Sequence, residues 1–353
     1  MDWKVVVSAL GDAMRGAGAG GDGAPGAGVR FDKLAGDASN RSYWRAYLPD
    51  GGTAVLMKLA DEPLKSEEVV DGERPTRLPF LDVGAYLRSG GIPVPEVLHE
   101  DLPAGVLVLE DLGDVSVERA LASGSPKVPL YRQAVRLAAR MHALAARSPD
   151  PACIAFRRRF GEGLLRWELE HFYEWLLVAW TGRTPAPAHR DVLSAFFAEV
   201  VRRLVALPQG FVHRDFQSRN LMVRDGRLRL IDFQDALQGP YLYDLVALLR
   251  DSYVAFAPEE VAAIEAEYRA ARADEGLWTP SADELSDAFQ LQAMQRKLKD
   301  SGRFVYIERV KKNPKFLPNI PRSLAYAREA IDRFPEFREA REVLAEYLPE
   351  HFG

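Results

Sequence analysis

The chain has 353 residues, of which 47% are hydrophobic and 27% are charged, and its formal net charge is −5. This composition excludes a disordered, collagen-like or fibrous protein, and the acidic balance argues against a nucleic-acid-binding protein or a polybasic membrane anchor. The length predicts about two domains. Cys153, the single cysteine, has no partner for an internal disulfide, and no apolar run approaches the roughly 20 residues that cross a bilayer. We therefore expect a cytoplasmic protein, and we expect it to be a monomer.

Strands are predicted to dominate the first third of the chain. A short amphipathic helix over residues 1–15 precedes a glycine- and alanine-rich segment, 16–28, that is typical of a flexible connector. A second helix is predicted over 79–89, where apolar residues recur at helical spacing. The first three predicted strands, over residues 29–34, 42–48 and 53–59, form an antiparallel meander, and two more strands are predicted over 94–99 and 106–110.

The chain after residue 113 is predicted to be mostly helical. One strand pair interrupts it, 221–224 and 228–232, with Asp225-Gly226 as the turn. A strand-rich segment followed by a helical body indicates an α+β fold with two lobes, 1–110 and 111–353, and a cleft between them. The predicted helices of the second lobe cover residues 116–123, 128–147, 161–181, 189–206, 241–255, 258–274, 281–299 and 321–347.

Three polar side chains flank the predicted strand pair with a spacing that suits phosphoryl transfer. Asp215 and Asn220 precede its first strand, and Asp232 ends its second strand. A carboxylate and an amide on one loop can reach a substrate hydroxyl and a metal ion together, and the second carboxylate adds the hard oxygen ligands that Mg²⁺ prefers. Phosphoryl transfer requires an oriented hydroxyl and metal ions that bridge the phosphates. This segment is therefore the predicted catalytic centre.

The pattern His213-x-Asp215-x4-Asn220, followed by Ile231-Asp232-Phe233, resembles that of the protein-kinase-like phosphotransferases. Gln234-Asp235 departs from the protein kinases, and no peptide-binding activation segment follows. The chain is more similar to the aminoglycoside phosphotransferase superfamily, and within it to the kinases that phosphorylate N-acetylmuramate and N-acetylglucosamine at the anomeric hydroxyl. The stretches that carry this similarity are Gly36–Arg41, Val106–Gly113, Ile231–Pro240, Tyr243–Leu245, Gln295–Lys299 and Pro318–Tyr326.

The resemblance implies a bilobal protein-kinase-like fold that uses ATP and Mg²⁺. In it, Asp215 would orient the substrate hydroxyl or accept its proton, and Asn220 and Asp232 would bind the metal. His213 is expected to support the loop, because histidines in such loops usually pack and hydrogen-bond to the backbone.

Residues of the first lobe are implied to bind ATP. Lys58 ends the third predicted strand, where a kinase-like fold places its phosphate-binding lysine, although an ordinary outward-facing lysine is the alternative. Its usual glutamate partner is not assignable. Ser39 and Asn40, between the first two strands, would donate to phosphate oxygens, unless they form a plain turn. The backbone of Glu110 and Leu112 would bind adenine.

The acceptor site is predicted on the helix that contains Glu168 and Trp175, because acids accept hydrogen bonds from sugar hydroxyls and aromatic rings stack on pyranose faces. A core helix with solvated acids is the alternative. Arg214 and Asp235 are further candidates for substrate contact, although Arg214 could equally support its loop. N-acetylmuramate carries a lactyl carboxylate that requires a nearby cation. We assign this role to Arg296, and the other basic residues available for it are Lys299, Lys311 and Lys312.

The sequence therefore predicts a kinase that phosphorylates the C1 hydroxyl of N-acetylmuramate and N-acetylglucosamine for peptidoglycan recycling. One alternative is a phosphotransferase for aminoglycosides, choline or another amino compound. A polycationic aminoglycoside would require clustered acids, whereas the acidic helix and the basic C-terminal segment suit a neutral or anionic sugar better. The other alternative is a nucleotide-binding pseudokinase, against which the intact Asp215, Asn220 and Asp232 argue.

Overall fold

The computed structural model describes residues 2–16, 28–34, 41–59 and 77–353. Ser39, Asn40 and residues 17–27 of the predicted connector lie outside these ranges. The chain divides into two compact units, Met1–Glu67 with Pro93–Asp114 and Glu68–Ile92 with Val115–Gly353. The first contains an antiparallel sheet and the second is mostly helical, which confirms the predicted α+β class.

The described residues of the first unit form one helix and a five-stranded antiparallel sheet. The helix α1 spans Trp3–Gly16, and the strand order is β1-β2-β3-β5-β4. The strands are β1 (Arg30–Leu34), β2 (Ser42–Tyr47), β3 (Thr53–Lys58), β4 (Val97–Asp101) and β5 (Val106–Glu110).

The sheet packs one of its faces against α1. Successive residues of a strand point to opposite faces, so Ala54 and Leu56 of β3 share a face, and Leu56 pairs with Val108 of β5. These side chains are buried together with Val6, Val7 and Leu10 of the helix. Lys58 continues the same face at the end of β3.

The second unit is built on helices. Prolines in the first turn begin several of them, because proline lacks the N–H that has no partner there. The helices are α2 (Pro79–Ser89), α3 (Val117–Ala122), α4 (Lys127–Arg147), α5 (Glu162–Phe172), α6 (Pro187–Ala206), α7 (Tyr243–Leu249), α8 (Pro258–Asp274), α9 (Ala282–Lys311), α10 (Ile320–Asp332), α11 (Arg338–Tyr347) and α12 (Pro349–Phe352).

In the part of the second unit that the structure describes, two antiparallel strand pairs lie among these helices. The predicted hairpin is confirmed as β7 (Leu221–Arg224) and β8 (Arg227–Leu230), and β6 (Gln209–Val212) pairs with β9 (Leu237–Pro240). The loop that contains Asp215 and Asn220 therefore runs from β6 to β7. Asp232 lies on the connection from β8 to β9, so the two strand pairs bring the predicted catalytic residues onto neighbouring loops.

Proline explains two of the differences from the sequence prediction. The strand predicted at 94–99 begins only at Val97, because Pro95 has no N–H for a ladder. The helix predicted over 321–347 is divided, since Pro335 starts a separate short turn between α10 and α11. The pair of β6 and β9 was not predicted, because each strand has only four residues. None of the helices in the described ranges is long and apolar enough to span a membrane.

Candidate active site

A buried aspartate holds the start of the loop that carries Asp215. The backbone N–H groups of His213 and Arg214 donate to the two carboxylate oxygens of Asp244, at 2.8 and 3.0 Å. Asp244 lies in the first turn of α7 and is completely buried. These bonds maintain the left-handed backbone of Arg214, which has a φ of 81°. Such a conformation is costly for a residue other than glycine and persists only when its surroundings stabilise it.

A second buried aspartate holds the far end of the same loop. Asp251 accepts hydrogen bonds from the N–H and the hydroxyl of Ser218 and from the N–H of Tyr253. Asp244 and Asp251 lie at the beginning and just beyond the end of α7. This one short helix therefore anchors both ends of the loop that carries Asp215, the candidate catalytic loop.

Asp215, Asn220 and Asp232 come together on these loops. Asn220 Nδ2 donates to the backbone carbonyl of Asp215 at 2.8 Å and lies 3.4 Å from Asp232 Oδ2. His213 Nε2 donates to the carbonyl of Ile231 at 3.0 Å, because a carbonyl oxygen can only accept. Asp232 also has a left-handed backbone, with a φ of 64°. The loops are thus fixed to each other through both side chains and backbone.

Gln234 connects the two carboxylates beyond β8. Its Nε2 donates to Asp232 Oδ1 at 2.9 Å and to Asp235 Oδ2 at 3.3 Å. Gln234 is buried, whereas Asp235 is exposed. The glutamine that distinguishes this segment from a protein kinase therefore orients Asp232.

The charges of this cluster fit a divalent cation. Although part of Asp232 is open to solvent, the surrounding protein removes water from its carboxylate, and this effect together with the charge of Asp215 raises the pKa of Asp232. A cation between these oxygens would relieve that repulsion. Within the described residues, no group of three histidine, cysteine, aspartate or glutamate side chains forms a metal site. The candidate ligands predicted from the sequence remain the carboxylate of Asp232 and the amide oxygen of Asn220, an oxygen set suited to Mg²⁺.

Arg296 lies beneath the catalytic loop and has only 1% of its surface exposed. Its Nη1 donates to the carbonyl of Arg214 at 2.9 Å, and its Nη2 lies 3.6 Å from Asp215 Oδ1. The guanidinium also lies over the ring of Tyr243, 4.8 Å from the centroid. These contacts favour a role in positioning Asp215, whereas its assignment to the substrate carboxylate stays a prediction.

Glu168 is completely buried between the loop and α9. Its Oε2 accepts a hydrogen bond from Gln295 Nε2 at 2.6 Å, and its Oε1 lies 3.7 Å from Arg214 Nη2. Helices α5 and α9 approach closely here, since a Cβ on Gly302 would lie 2.6 Å from the Cα of Phe172. The geometry of Glu168 and Arg214 favours support of the loop over contact with substrate.

Trp175, the other residue predicted to line the acceptor site, belongs to an aromatic cluster. It lies in the π-helical segment Tyr173–Trp180 that continues α5, and such wide turns are frequent at functional sites. Its ring centroid is 5.0 Å from that of Tyr306 and 5.9 Å from that of His171, and Trp167 stacks on His171 at 5.0 Å. Trp167 and Trp175 are half-buried, so they present ring surface to solvent.

The predicted nucleotide-binding residues that are described lie in the first unit. Lys58 Nζ donates to the carbonyl of Ala104 at 2.8 Å, and no carboxylate in the described ranges pairs with it. Glu110 accepts the N–H of Glu96 at 3.2 Å. The N–H of Leu112 donates to no described group, so it is available to donate a hydrogen bond to adenine.

An ion pair fixes the segment around Leu112. Arg45 binds both oxygens of Asp111, at 2.7 and 3.1 Å, and also pairs with Asp114 at 2.8 Å. Burial alone would raise the pKa of Asp111, but the hydrogen bonds from Arg45 and from the N–H of Gly113 outweigh it and lower the pKa. The chain that leaves β5 is therefore fastened to β2.

Sequence reasoning did not single out Gln234 as a functional residue, nor Asp251 or Gln295. Gln234 entered the sequence analysis as a departure from the protein-kinase pattern and as part of the similar stretch Ile231–Pro240, without a role of its own. Its position two residues after Asp232 is the signal that could have identified that role. Gln295 lies in the similar stretch Gln295–Lys299, but its contact with Glu168 depends on the packing of α9. Asp251 gave no such signal, because only the position of α7 brings it to the loop.

The fold and the site together define a kinase, an enzyme of the phosphotransferase class. Residues 31–278 match the phosphotransferase enzyme family (APH), and the chain belongs to this family. An amicoumacin kinase, whose structure was determined in complex with AMP-PNP and Ca²⁺, aligns with a TM-score of 0.59 at 16% identity. The alignment covers 95% of this chain and 97% of that one, and it supports the fold.

Two relatives share more of the sequence. A protein of Neisseria meningitidis named N-acetylmuramate/N-acetylglucosamine kinase is 32% identical over 315 residues, which is 89% of each chain. A protein of Pseudomonas aeruginosa with the same name is 32% identical over 317 residues, covering 88% of this chain and 86% of that one.

Proposed function

We propose that the protein uses ATP and Mg²⁺ to phosphorylate the anomeric hydroxyl of N-acetylmuramate and N-acetylglucosamine, acting in the cytoplasm. The observation that carries this proposal is the 32% identity to a kinase named for these two sugars, over 89% of both chains. The product would be a sugar 1-phosphate, which would feed peptidoglycan recycling toward UDP-N-acetylmuramate.

Asp215 is the group that would act on the sugar. Its carboxylate would accept a hydrogen bond from the C1 hydroxyl and take up its proton as the C1 oxygen bonds to the γ-phosphorus of ATP and the bond to the leaving ADP breaks. A hemiacetal hydroxyl is more acidic than an ordinary alcohol, so alignment of the hydroxyl contributes more than base strength. Arg296 and Asp244 support this alignment, because they hold the side chain and the backbone around Asp215.

Asn220 and Asp232 would hold Mg²⁺, which neutralises charge on the transferred phosphate when it is bound. Gln234 keeps the Asp232 carboxylate turned toward Asn220. In the first unit, Lys58, Ser39 and Asn40 are proposed to bind the phosphates of ATP, and the backbone of Glu110 and Leu112 its adenine.

The half-buried rings of Trp175 and its neighbours would stack on one face of the sugar, and the exposed Asp235 would accept a hydrogen bond from a sugar hydroxyl. An N-acetyl sugar matches this combination of ring surface and few charges. A polycationic antibiotic would require several exposed acids, whereas one exposed acid, Asp235, is proposed to contact the acceptor.

The test is ADP release with ATP and Mg²⁺ and one candidate acceptor at a time. The acceptors are N-acetylmuramate, N-acetylglucosamine, glucose, kanamycin and choline. Asp215→Asn is assayed alongside, with Asp274→Asn as the matched control, because Asp274 is exposed at the end of α8.

We expect turnover of both N-acetyl sugars, loss of activity in Asp215→Asn and full activity in the control. A phosphate that mild acid releases identifies the anomeric position. Turnover of kanamycin or choline without the sugars would refute the substrate assignment while leaving the kinase class intact. ATP binding without turnover of any acceptor would favour a pseudokinase.

A further inference from the structure

The segment between α4 and α5 places Arg158 against β9, the strand that follows the connection carrying Asp232. The N–H of Gln238 donates to the carbonyl of Arg158 at 2.9 Å, and the N–H of Phe160 donates to the carbonyl of Gln238 at 2.8 Å. Gln238 lies on β9, immediately after the connection that carries Asp232. The ring of Phe160 lies 5.5 Å from the guanidinium of Arg214. Arg158 therefore lies on the segment that packs beside the loop carrying Arg214 and Asp215.

The side chain of Arg158 has no partner in the described part of the chain. It is half-buried and makes no hydrogen bond or ion pair there. Burial lowers the pKa of Arg158, while the charge of Asp235 attracts its guanidinium and that of Arg214 repels it. A cation that is partly removed from water without a bound carboxylate is unfavourable. Such an arrangement suits a site where a ligand supplies the anion.

Other arginines beside the loop that carries Asp215 are already engaged. Arg296 is buried and donates to the backbone of Arg214, and Arg214 itself lies against Glu168. Arg159 is exposed and follows Arg158 in an extended segment, so the two side chains point to opposite sides. Among the described residues, Arg158 therefore has a guanidinium open to a ligand, and Arg159 is its matched control.

We propose that Arg158 binds the lactyl carboxylate of N-acetylmuramate and makes the kinase favour the acidic sugar over its neutral counterpart. This inference rests on the proposed function. The lactyl group is attached to C3, two ring carbons from the reacting hydroxyl. The cation that binds the lactyl carboxylate must therefore lie near Asp215 without contacting it. Among the described residues, no contact joins Arg158 to Asp215. A guanidinium can bind a carboxylate through two parallel hydrogen bonds.

The test compares kcat/KM for three acceptors: N-acetylmuramate, N-acetylglucosamine, and N-acetylmuramate whose carboxylate has been converted to an amide. The enzymes are wild type, Arg158→Gln, Arg158→Lys and the control Arg159→Gln. In Arg158→Gln we expect the ratio of kcat/KM for N-acetylmuramate to that for N-acetylglucosamine to fall about 10- to 100-fold, mainly through KM. The wild type should discriminate against the amide, and Arg158→Gln should lose that discrimination.

The outcomes separate this inference from the proposed function. A wild type that phosphorylates neither sugar contradicts the proposed function, and the inference falls with it. A wild type that phosphorylates both, together with a ratio unchanged in Arg158→Gln, overturns the inference alone. If Arg158→Gln does not fold, Arg158→Lys decides, because it keeps the charge but loses the two-pronged geometry. In Arg158→Lys, the ratio of kcat/KM for N-acetylmuramate to that for N-acetylglucosamine should fall several-fold, and an unchanged ratio would overturn the inference.

Discussion

The buried carboxylate of Asp244 is the point at which the structure predicts the largest response to a small change. Asp244→Asn keeps the size of the side chain and replaces one acceptor oxygen by an NH₂ group. The amide can accept from the N–H of His213 or from that of Arg214, but not from both. One backbone N–H is then left facing another donor in the interior.

The magnitude follows from the two hydrogen bonds. Each joins an N–H to a buried carboxylate, and bonds to charged groups contribute about 1.5–3 kcal/mol. The pair therefore contributes about 3–6 kcal/mol, of which the amide retains about 1 kcal/mol. The expected loss of about 2–5 kcal/mol is large beside the 5–15 kcal/mol that stabilise a typical domain. Release of the strained Arg214 backbone moves Asp215, and a displacement of about 1 Å lowers kcat about 100-fold.

Denaturant unfolding and steady-state kinetics on the same preparations test this reasoning. Asp274→Asn removes an exposed carboxylate of the same type and should change neither quantity. An Asp244→Asn enzyme whose unfolding free energy and kcat both equal those of the wild type would show that these bonds do not hold the loop.

Three further changes test the supports of the loop. Arg296→Lys keeps the charge but loses the planar guanidinium that reaches both Arg214 and Asp215. In steady-state kinetics, kcat should therefore fall at least tenfold while KM for the sugar stays constant. An equal change in KM would contradict a positioning role. Gly302→Ala places a Cβ 2.6 Å from the Cα of Phe172 and should lower the unfolding free energy by about 1–3 kcal/mol, measured by denaturant titration. Asp300→Asn leaves the buried Lys297 without the carboxylate that it binds at 2.8 Å, and the free energy of unfolding should fall by about 3–5 kcal/mol at neutral pH. Burial alone would raise the pKa of Asp300, but the neighbouring cations hold that pKa well below its usual range. The stabilisation by the ionised carboxylate is therefore present above the unfolded-state pKa and is lost as the pH falls. In denaturant titrations, the difference in unfolding free energy between Asp300→Asn and the wild type should narrow below about pH 4.

The parts of the site that follow local chemistry could be predicted from the sequence. The turn at Asp225-Gly226 defines the β7–β8 hairpin, and the spacing of Asp215, Asn220 and Asp232 around it indicates an oxygen-rich site. Both signals lie within about 20 residues of each other, so no knowledge of long-range packing is required. The same local reasoning located the strands of the first unit, except where Pro95 delays β4.

The buried contacts of Arg296 and Glu168 were beyond sequence reasoning. A charged residue on a predicted amphipathic helix is usually exposed, and charge alone suggested substrate contact for both. Their burial depends on the close approach of α5 and α9 at Gly302, a contact between segments more than 100 residues apart. The pairing of Glu168 with Gln295 and the contact of Arg296 with the loop appear only once that packing is known.

The strained residues argue for an enzyme over a nucleotide-binding scaffold. Arg214 and Asp232 both have left-handed backbones, one just before Asp215 and the other at the candidate metal ligand itself. Such conformations are costly, and they occur mainly where function requires a fixed geometry. Asp244 stabilises the first and Gln234 orients the carboxylate of the second. A scaffold that only bound nucleotide would gain nothing from a buried arginine 3.6 Å from Asp215, whereas phosphoryl transfer requires that carboxylate to be aligned before the substrate arrives.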